Sequence, residues 1–507
     1  MPTQSHVLQL HPLDNVCVAL VDLPEGHRLA QENIICRAPI PAGHKVASAP
    51  IPAGANVTKY GQIIGMAIRD IQAGDHVHTH NLGMGRFERD YAIGEDVRLP
   101  AAPVRVPEFF QGIVRPDGRV GTRNYIGVIS TVNCSSSVAR LVAEQFRAET
   151  LAEHPAVDGV VPICHGLGCG MAGSGRGFEY LRESLAGYSR HPNFAGVLFI
   201  GLGCEVMQIE AVTGRFGEAA NPLVQAMTIQ EKGGTRRTVQ EAAARVREMV
   251  AAAAGVRRRP VPADRLVVGL ECGGSDALSG ITANPALGAA VDLVVGQGGT
   301  AVLGETPEIY GAEHLLTRRA VSREVAEKLI GCIRWWEDYT SKLGGEMDNN
   351  PTPGNKAGGL TTILEKSLGA VAKGGTTHLV EVYRYAAPVT ARGLVFMDTP
   401  GYDPVSLTGM VAGGANLICF TTGRGSVYGC RPVPSIKLAT NTPMYARMEE
   451  DMDINCGLIA EGEASVAGLG RVIFRRMLEV ASGGLTKSEA LGIGNDEFVP
   501  WQIGAVM

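Results

Sequence analysis

Four cysteines occupy positions where chemistry is expected. Cys134 lies in Thr131-Val132-Asn133-Cys134-Ser135 and Cys169 in Cys164-His165-Gly166-Leu167-Gly168-Cys169-Gly170. Cys204 lies in Gly201-Leu202-Gly203-Cys204-Glu205 and Cys272 in Glu271-Cys272-Gly273-Gly274-Ser275-Asp276. Each segment follows an apolar run that reads as a β-strand, and in open α/β sheets ligands bind beyond the carboxyl ends of strands. One such cysteine is ordinary buried filler. Four at corresponding strand ends suit iron or an iron–sulfur centre equally well, because thiolates favour iron over magnesium or calcium. An oxygen and nitrogen set is the alternative: Glu271, Asp276 and Glu305 with His76 or His78. His76, His78 and His80 alternate along one face of an expected strand. They form either a ligand face or a solvated strand edge; three within five residues is a high density when the whole chain has twelve histidines.

The elements that position these residues fall into three segments. Residues 1–95 carry a weak repeat of apolar residue, Gly-containing turn and short strand. Its copies are Leu23-Pro24-Glu25-Gly26, Ile40-Pro41-Ala42-Gly43, Ile51-Pro52-Ala53-Gly54 and Ile71-Gln72-Ala73-Gly74. Pro and Gly set the turn dihedrals, and the spacing suits a small turn-rich β domain. Residues 96–112 hold three prolines and read as an extended linker. From 113 to 507, apolar runs alternate with helical patterns, which implies mostly parallel α/β sheets. Strands are expected at 125–131, 158–163, 196–201, 266–271, 291–295, 394–398, 416–421 and 435–439. Helices are expected at 135–153, at 238–256 (capped by Thr238 with Glu241) and at 322–343 (capped by Ser322). Trp335, Trp336 and Tyr339 on the last read as core or subunit interface. A break near 255–265 separates two α/β domains, 113–260 and 261–507.

Composition narrows the function. Glycine is 65 of 507 residues, nearly twice the usual ~7%, without the three-residue period of collagen. A net charge of −5 with no dominant basic patch excludes nucleic acid as the expected partner. Arg257–Arg259 read as a helix C-terminus. No apolar run approaches the ~18 residues of a membrane span, and the N-terminus lacks the pattern of a signal peptide, so a cytoplasmic location is expected. Eleven cysteines without a C-x-x-C pair argue against disulfides and zinc knuckles. The phosphate-binding loop pattern is absent, and Gly296-Gln297-Gly298-Gly299 has the wrong spacing for a dinucleotide fingerprint.

Long, specific stretches then resemble a known family. They are His11-Pro12-Leu13-Asp14-Asn15-Val16, Ala42-Gly43-His44-Lys45-Val46-Ala47 and Arg115-Pro116-Asp117-Gly118-Arg119-Val120-Gly121-Thr122-Arg123-Asn124. Further on come Cys272-Gly273-Gly274-Ser275-Asp276, Asn284-Pro285, Pro351-Thr352-Pro353-Gly354-Asn355-Lys356-Ala357-Gly358-Gly359 and Phe420-Thr421-Thr422-Gly423-Arg424-Gly425. From about residue 6 to beyond 470 the chain resembles the altronate/galactarate dehydratases, sugar-acid hydro-lyases. The resemblance implies an N-terminal β-clip domain of SAF type, a middle domain tied to dimerisation and a C-terminal Rossmann-like variant. It also implies a homodimer and dehydration of a sugar acid to a 2-keto-3-deoxy acid. The implied cofactor is iron, as Fe2+ or a labile cluster, with Mn2+ as substitute. Related enzymes act on altronate or galactarate, or eliminate sulfite from sulfolactate. Thr399-Pro400-Gly401-Tyr402-Asp403-Pro404-Val405-Ser406 and the Gly-Leu-Gly-Cys segment depart from the galactarate pattern and favour altronate.

Such a reaction removes the proton α to a carboxylate and expels the 3-hydroxyl, so it needs a Lewis acid, a base and an acid. Cys134, Cys169, Cys204 and Cys272 are the first candidates for holding iron, with Glu271, Asp276 and Glu305 next. His165 is the first candidate for proton transfer, then Lys356 and Lys437. Arg424, between two glycines, suits a substrate carboxylate, with Thr421 and Thr422 beside it. The small domain, acting as a lid, would bring His44, His76 and His78 to the pocket mouth.

Overall fold

The computed structural model describes residues 6–29, 33–85, 89–97, 106–214, 224–504 and 506. In the N-terminal segment, Val7–Leu8, Val16–Ala19, Lys45–Ala47 and His76–Val77 form an antiparallel four-stranded sheet. Asn56–Lys59, Gln62–Ala67 and Leu82–Gly83 form a second sheet, of three strands. The repeat is visible in its turns. Ala42 N donates to Asp22 Oδ1 and Ala53 N to Asp70 Oδ1, each at 2.8 Å, so an aspartate from a neighbouring copy braces each Pro-Ala-Gly turn.

Residues 98–105 of the expected linker lie outside the described residues. Its end is not extended coil: Phe109–Val114 is a strand, paired antiparallel with Arg259–Pro262 and Val120–Gly121. The middle segment is a parallel sheet of β1 (Tyr125–Ser130), β2 (Gly159–Ile163), β3 (Phe194–Gly201) and β4 (Val224–Thr228), in spatial order β2-β1-β3-β4. The expected helix 135–153 is two pieces, Asn133–Ala143 and Ala148–Leu151. The helix expected from Thr238 begins at Thr235. The Thr238 hydroxyl bonds back to Gly234 O at 2.9 Å and caps nothing.

The C-terminal segment is a seven-stranded sheet, parallel throughout. Its strands are β5 (Val267–Cys272), β6 (Thr300–Leu303), β7 (Leu379–Tyr383), β8 (Gly393–Met397), β9 (Leu417–Thr422), β10 (Ser435–Ala439) and β11 (Ile454–Asn455), in order β7-β8-β6-β5-β9-β10-β11. One expected strand is wrong: 291–295 lies inside the helix Ala283–Gly296. That helix is buried against both the sheet and the helix Val466–Ala481, so it is apolar nearly all round. A short apolar run cannot distinguish a buried helix from a buried strand. The helix Arg323–Lys342 starts where Ser322 accepts from Val325 N. Its Trp336 stacks on Trp501 at 5.2 Å between ring centroids and donates to Asp398 Oδ1 at 2.9 Å. Among the described residues no helix is long and apolar enough to cross a membrane.

Candidate functional site

The chain leaves β5 for β6 on one side and later returns to β9 on the other. The carboxyl end of β5 is therefore a topological switch point, where a doubly wound sheet opens a crevice. β5 delivers Glu271 and Cys272 there. The turns after β6 and β8 add Glu305, Glu308 and Asp403, and Lys366 and Lys373 reach in from residues 363–374. Lys373 Nζ lies 3.0 Å from Glu305 Oε2 and 2.9 Å from Cys272 Sγ. Lys366 Nζ lies 2.7 Å from Glu308 Oε1, which also accepts from Asn350 Nδ2 at 2.7 Å. Oxygens of Glu271, Glu305 and Asp403 lie within 4.8 Å of one another; so do Cys272 Sγ and oxygens of Glu305 and Glu308. Glu305 takes the left-handed conformation (φ 63°), uncommon outside glycine, and its amide is held by Thr399 Oγ1 at 2.7 Å.

The electrostatics follow from burial. Four carboxyls face two ammoniums. No donor reaches either oxygen of Glu271 or Oε1 of Glu305, all three buried. Burial, then the charge of Glu305, pushes Glu271 well above the usual carboxylate range. Burial, then Glu305 and Glu308, pushes Asp403 up to about 7. Burial would also raise Glu305, but Lys373 holds it low. Burial pushes the Cys272 thiol up to about 12 against the pull of Lys373. The excess negative charge is balanced by protons on Glu271 and Asp403 or by a divalent cation, and unpaired carboxylate oxygens are the donors that hard cations take. Gly273 roofs the cluster, and a Cβ on it would collide with Asp403 Oδ2. Gly273→Ala should displace that carboxylate and cut turnover ~100-fold, as misplacing a reacting group does. Unchanged kcat would separate Asp403 from the chemistry.

The N-terminal domain closes the crevice. Lys45 and Lys59, both fully buried, straddle the Glu365 carboxylate at 2.9 Å each, and Lys45 Nζ also donates to Gly359 O at 2.7 Å. Burial pushes Lys45 down to about 8. Burial would raise Glu365, but both lysines hold it low. His44 Nδ1 lies 3.0 Å from His76 Nε2, and His78 Nε2 donates to Lys356 O at 2.9 Å. His44 and His78 stack at 4.9 Å between ring centroids. Burial lowers His44 and, with the neighbouring imidazoles, takes His76 to about 3. The remaining space, lined by Tyr60, Cys272, Asp276 and Lys366, is a cavity of about 10 Å³, room for about one water molecule. A freely swinging lid is not what the structure shows: the domain is anchored by an ion cluster whose separation would strand buried charge.

Other expected site residues fall elsewhere. Cys272 is not grouped with Cys134, Cys169 and Cys204. It belongs to a second sheet and is buried among carboxylates and ammoniums, while the other three are exposed on the middle sheet. Among the described residues, no metal-competent group holds more than one of the four thiols. Asp276 is spent on Ser279, Thr440 and Asn441, all within 3.0 Å. His165 is not free to transfer protons, since Nε2 donates to Ser130 O at 3.0 Å and Nδ1 accepts from Leu167 N at 3.1 Å. Lys437 is buried, with Nζ donating to Ser426 O at 3.2 Å. Thr421 Oγ1 is engaged with Asn284 Oδ1 at 2.7 Å, and Thr422 Oγ1 accepts from Gly425 N at 3.1 Å. Arg424 is exposed at the crevice rim, its amide donating to Gly274 O at 2.8 Å. Glu308, Lys366, Lys373 and Asp403 were not foreseen. For two of these there was a signal, charged residues inside the apolar stretch LTTILEKSLGAVAKGG.

His165 and His191 are pinned alike, His191 between Ala415 O (2.9 Å) and Asn193 N (3.1 Å). Burial lowers both to about 4. The unfolded chain protonates them below about 6.5, so it binds more protons than the folded state between about pH 6.5 and 4, and stability falls as pH drops through that window. Each should remove about 3 kcal/mol by pH 4. Unfolding at pH 5 should take up close to two protons from these groups, measurable from the pH dependence of the denaturation midpoint. A flat midpoint from pH 6.5 to 4.5 would contradict it.

A buried acid–amine site at the switch point of a parallel sheet, closed by a β domain, defines a multidomain α/β enzyme. Residues 263–506 match the D-galactarate/Altronate dehydratase C-terminal domain, 112–254 the D-galactarate dehydratase/Altronate hydrolase second domain, and 5–85 the altronate/galactarate dehydratase SAF domain. The altronate dehydratase of Escherichia coli (strain K12) is 37% identical over 95% of this chain and 96% of its own length. That of Bacillus subtilis (strain 168) is 35% identical over 95% and 96%. The galactarate dehydratase (L-threo-forming) of Escherichia coli (strain K12) is 37% identical over 95% and 94%. The chain belongs to the altronate/galactarate dehydratase family, and is a hydro-lyase acting on a sugar acid.

Proposed function

We propose that the protein dehydrates D-altronate to 2-keto-3-deoxy-D-gluconate in the crevice above β5, using a divalent iron that manganese can replace. The observation that carries the site is the set of three buried carboxylate oxygens on Glu271 and Glu305 that no donor reaches. Glu271, Glu305 and Asp403 would hold the ion. When bound, it supplies a Lewis acid for the charge that builds on the substrate carboxylate. Lys366 and Lys373 add fixed positive charge beside it. The neutral His44–His76 pair takes the α-proton and relays it outward, and Lys356, beside His78, protonates the leaving hydroxyl. Arg424 orients the substrate carboxylate from the rim. The cavity is too small for a six-carbon acid, so substrate entry parts the loops around Gly274, Gly358 and Gly423. Altronate is favoured over galactarate by the segments Thr399–Ser406 and Gly201–Cys204.

The test is 2-keto-3-deoxy acid formation from altronate and galactarate by chelated and metal-restored enzyme. Chelation should abolish turnover, Fe2+ or Mn2+ should restore it, and altronate should be preferred. Full activity after exhaustive chelation, or preference for galactarate, would overturn the corresponding part. His44→Ala should lower kcat ~100-fold or more and slow deuterium exchange at C2 equally. Lys356→Ala should slow dehydration while sparing exchange, and the opposite pattern would reverse the two roles.

A further inference from the structure

The turn between Asn56–Lys59 and Gln62–Ala67 breaks a local rule. Lys59 pairs with Gln62, so Tyr60 and Gly61 form a two-residue hairpin loop. Both have positive φ, 62° and 67°, the pattern of a type I′ turn, whose first central position favours Asn, Asp or Gly. A tyrosine there stands in the left-handed region, which a bulky side chain occupies only where its surroundings compel it. The turn itself gains nothing from an aromatic ring.

The compulsion comes from residues 11–15. The buried Asp14 carboxylate accepts from Gly61 N at 2.8 Å, from Tyr60 N at 3.1 Å and from His11 N at 3.0 Å. Asn15 fixes the strand that leads into the turn. Its side-chain oxygen accepts from Thr58 N at 2.9 Å, and its backbone amide donates to Thr58 Oγ1 at 3.2 Å. The His11 ring packs over Gly61, where a Cβ would lie 2.8 Å from Nδ1.

Held in this way, the turn aims the Tyr60 side chain out of the N-terminal domain and into the C-terminal one. Two glycines there make the room: a Cβ on Gly280 would lie 2.6 Å from the Tyr60 hydroxyl and 2.8 Å from Gly369 Cα. Tyr60 lines the cavity with Cys272, Asp276 and Lys366. Lys59 Nζ lies 4.8 Å from the ring centroid and supports its flank. Burial raises the phenol above its ordinary value, so it meets a ligand as a neutral hydroxyl that can donate or accept.

We infer that Tyr60 is a substrate-contacting residue supplied by the N-terminal domain, its hydroxyl hydrogen-bonding an oxygen of the sugar acid, and that Asp14 is its positioning residue. The inference rests on the reading of the crevice above β5 as the site of dehydration. It adds the group that the N-terminal domain brings to that crevice through a strained turn.

The experiment measures kcat and KM for Tyr60→Phe, Asp14→Ala and the double variant, with whichever of altronate and galactarate the wild type dehydrates. Tyr60→Phe keeps the ring and its packing and loses the hydroxyl alone. Its kcat/KM should fall about tenfold or more, the scale of one buried hydrogen bond left unmade, with an unchanged thermal midpoint. Asp14→Ala should lower kcat/KM similarly, and the double variant should be no slower than the slower single one, because Asp14 acts through Tyr60. If Asp14→Ala does not fold, Asp14→Asn, which keeps one acceptor oxygen, takes its place in the cycle. Multiplicative losses in the double variant would overturn the role of Asp14. Glu271→Gln, measured alongside, separates two failures. An inactive Glu271→Gln beside a fully active Tyr60→Phe overturns this inference alone, whereas full activity in both overturns the crevice reading with it.

Discussion

Glu271→Gln and Glu305→Gln should each lower turnover by about 10³-fold or more, because each removes a carboxylate that would hold the divalent ion facing the developing negative charge, and weakening that Lewis acid loses several kcal/mol of stabilisation. The readout that separates this from a packing role is metal binding. Glu271 is fully buried and its carboxyl faces Glu305, a contact that a nearly isosteric glutamine keeps by donating its amide to Glu305. Mn2+ affinity, followed by paramagnetic resonance of the free ion, should fall in parallel with kcat. Folding stability should hold in Glu271→Gln. In Glu305→Gln it should fall, since Lys373 loses its partner at 3.0 Å. Variants that bind Mn2+ like the wild type would move the metal site elsewhere.

The second large effect is at the domain junction. Glu365→Ala should cost about 3–5 kcal/mol, because it leaves the buried ammoniums of Lys45 and Lys59 without a counter-charge. The loss should register in the cooperative denaturation of the whole chain and in amide exchange of Lys45–Ala47, whose strand contributes the anchor. Replacing all three residues by apolar ones (Lys45→Met, Lys59→Met, Glu365→Leu) should recover most of the stability, since a buried ion cluster and well-packed apolar side chains of similar volume are often near-equal. If Glu365→Ala left exchange at 45–47 unaltered, the docking would rest on other contacts. The triple variant also tests whether the N-terminal domain contributes more than closure: stability without activity would assign the junction a part in the chemistry.

Much of the framework is legible from residue order alone. Alternating apolar runs and helical stretches imply parallel sheets, and a parallel strand followed by a helix delivers its last residues to one edge. That is why Cys134, Cys169, Cys204, Glu271, Cys272, Thr421 and Arg424 could be placed at strand ends. The turn repeat identified the β character of the N-terminal segment, because Pro and Gly act within four residues. Glu271 and Glu305, held in reserve as a ligand set, are brought together by the pairing of β5 with β6, and β6 is not among the strands expected from the sequence.

What local reasoning could not decide is which strands share a sheet. β5 pairs with β9, some 150 residues later, and nothing within either strand encodes that pairing. Cys272 was therefore grouped with three thiols that belong to another sheet. Lys366, Lys373, Glu308 and Asp403 come from separate helices and turns, and their meeting depends on how those elements pack over β5. Whether a histidine is free or bonded at both nitrogens also depends on backbone carbonyls far along the chain, as with His191 and Ala415. Sequence determined the kinds of element and the edge where chemistry belongs. Tertiary packing decided which charges meet there, because burial and long-range parallel pairing are properties of the assembled chain.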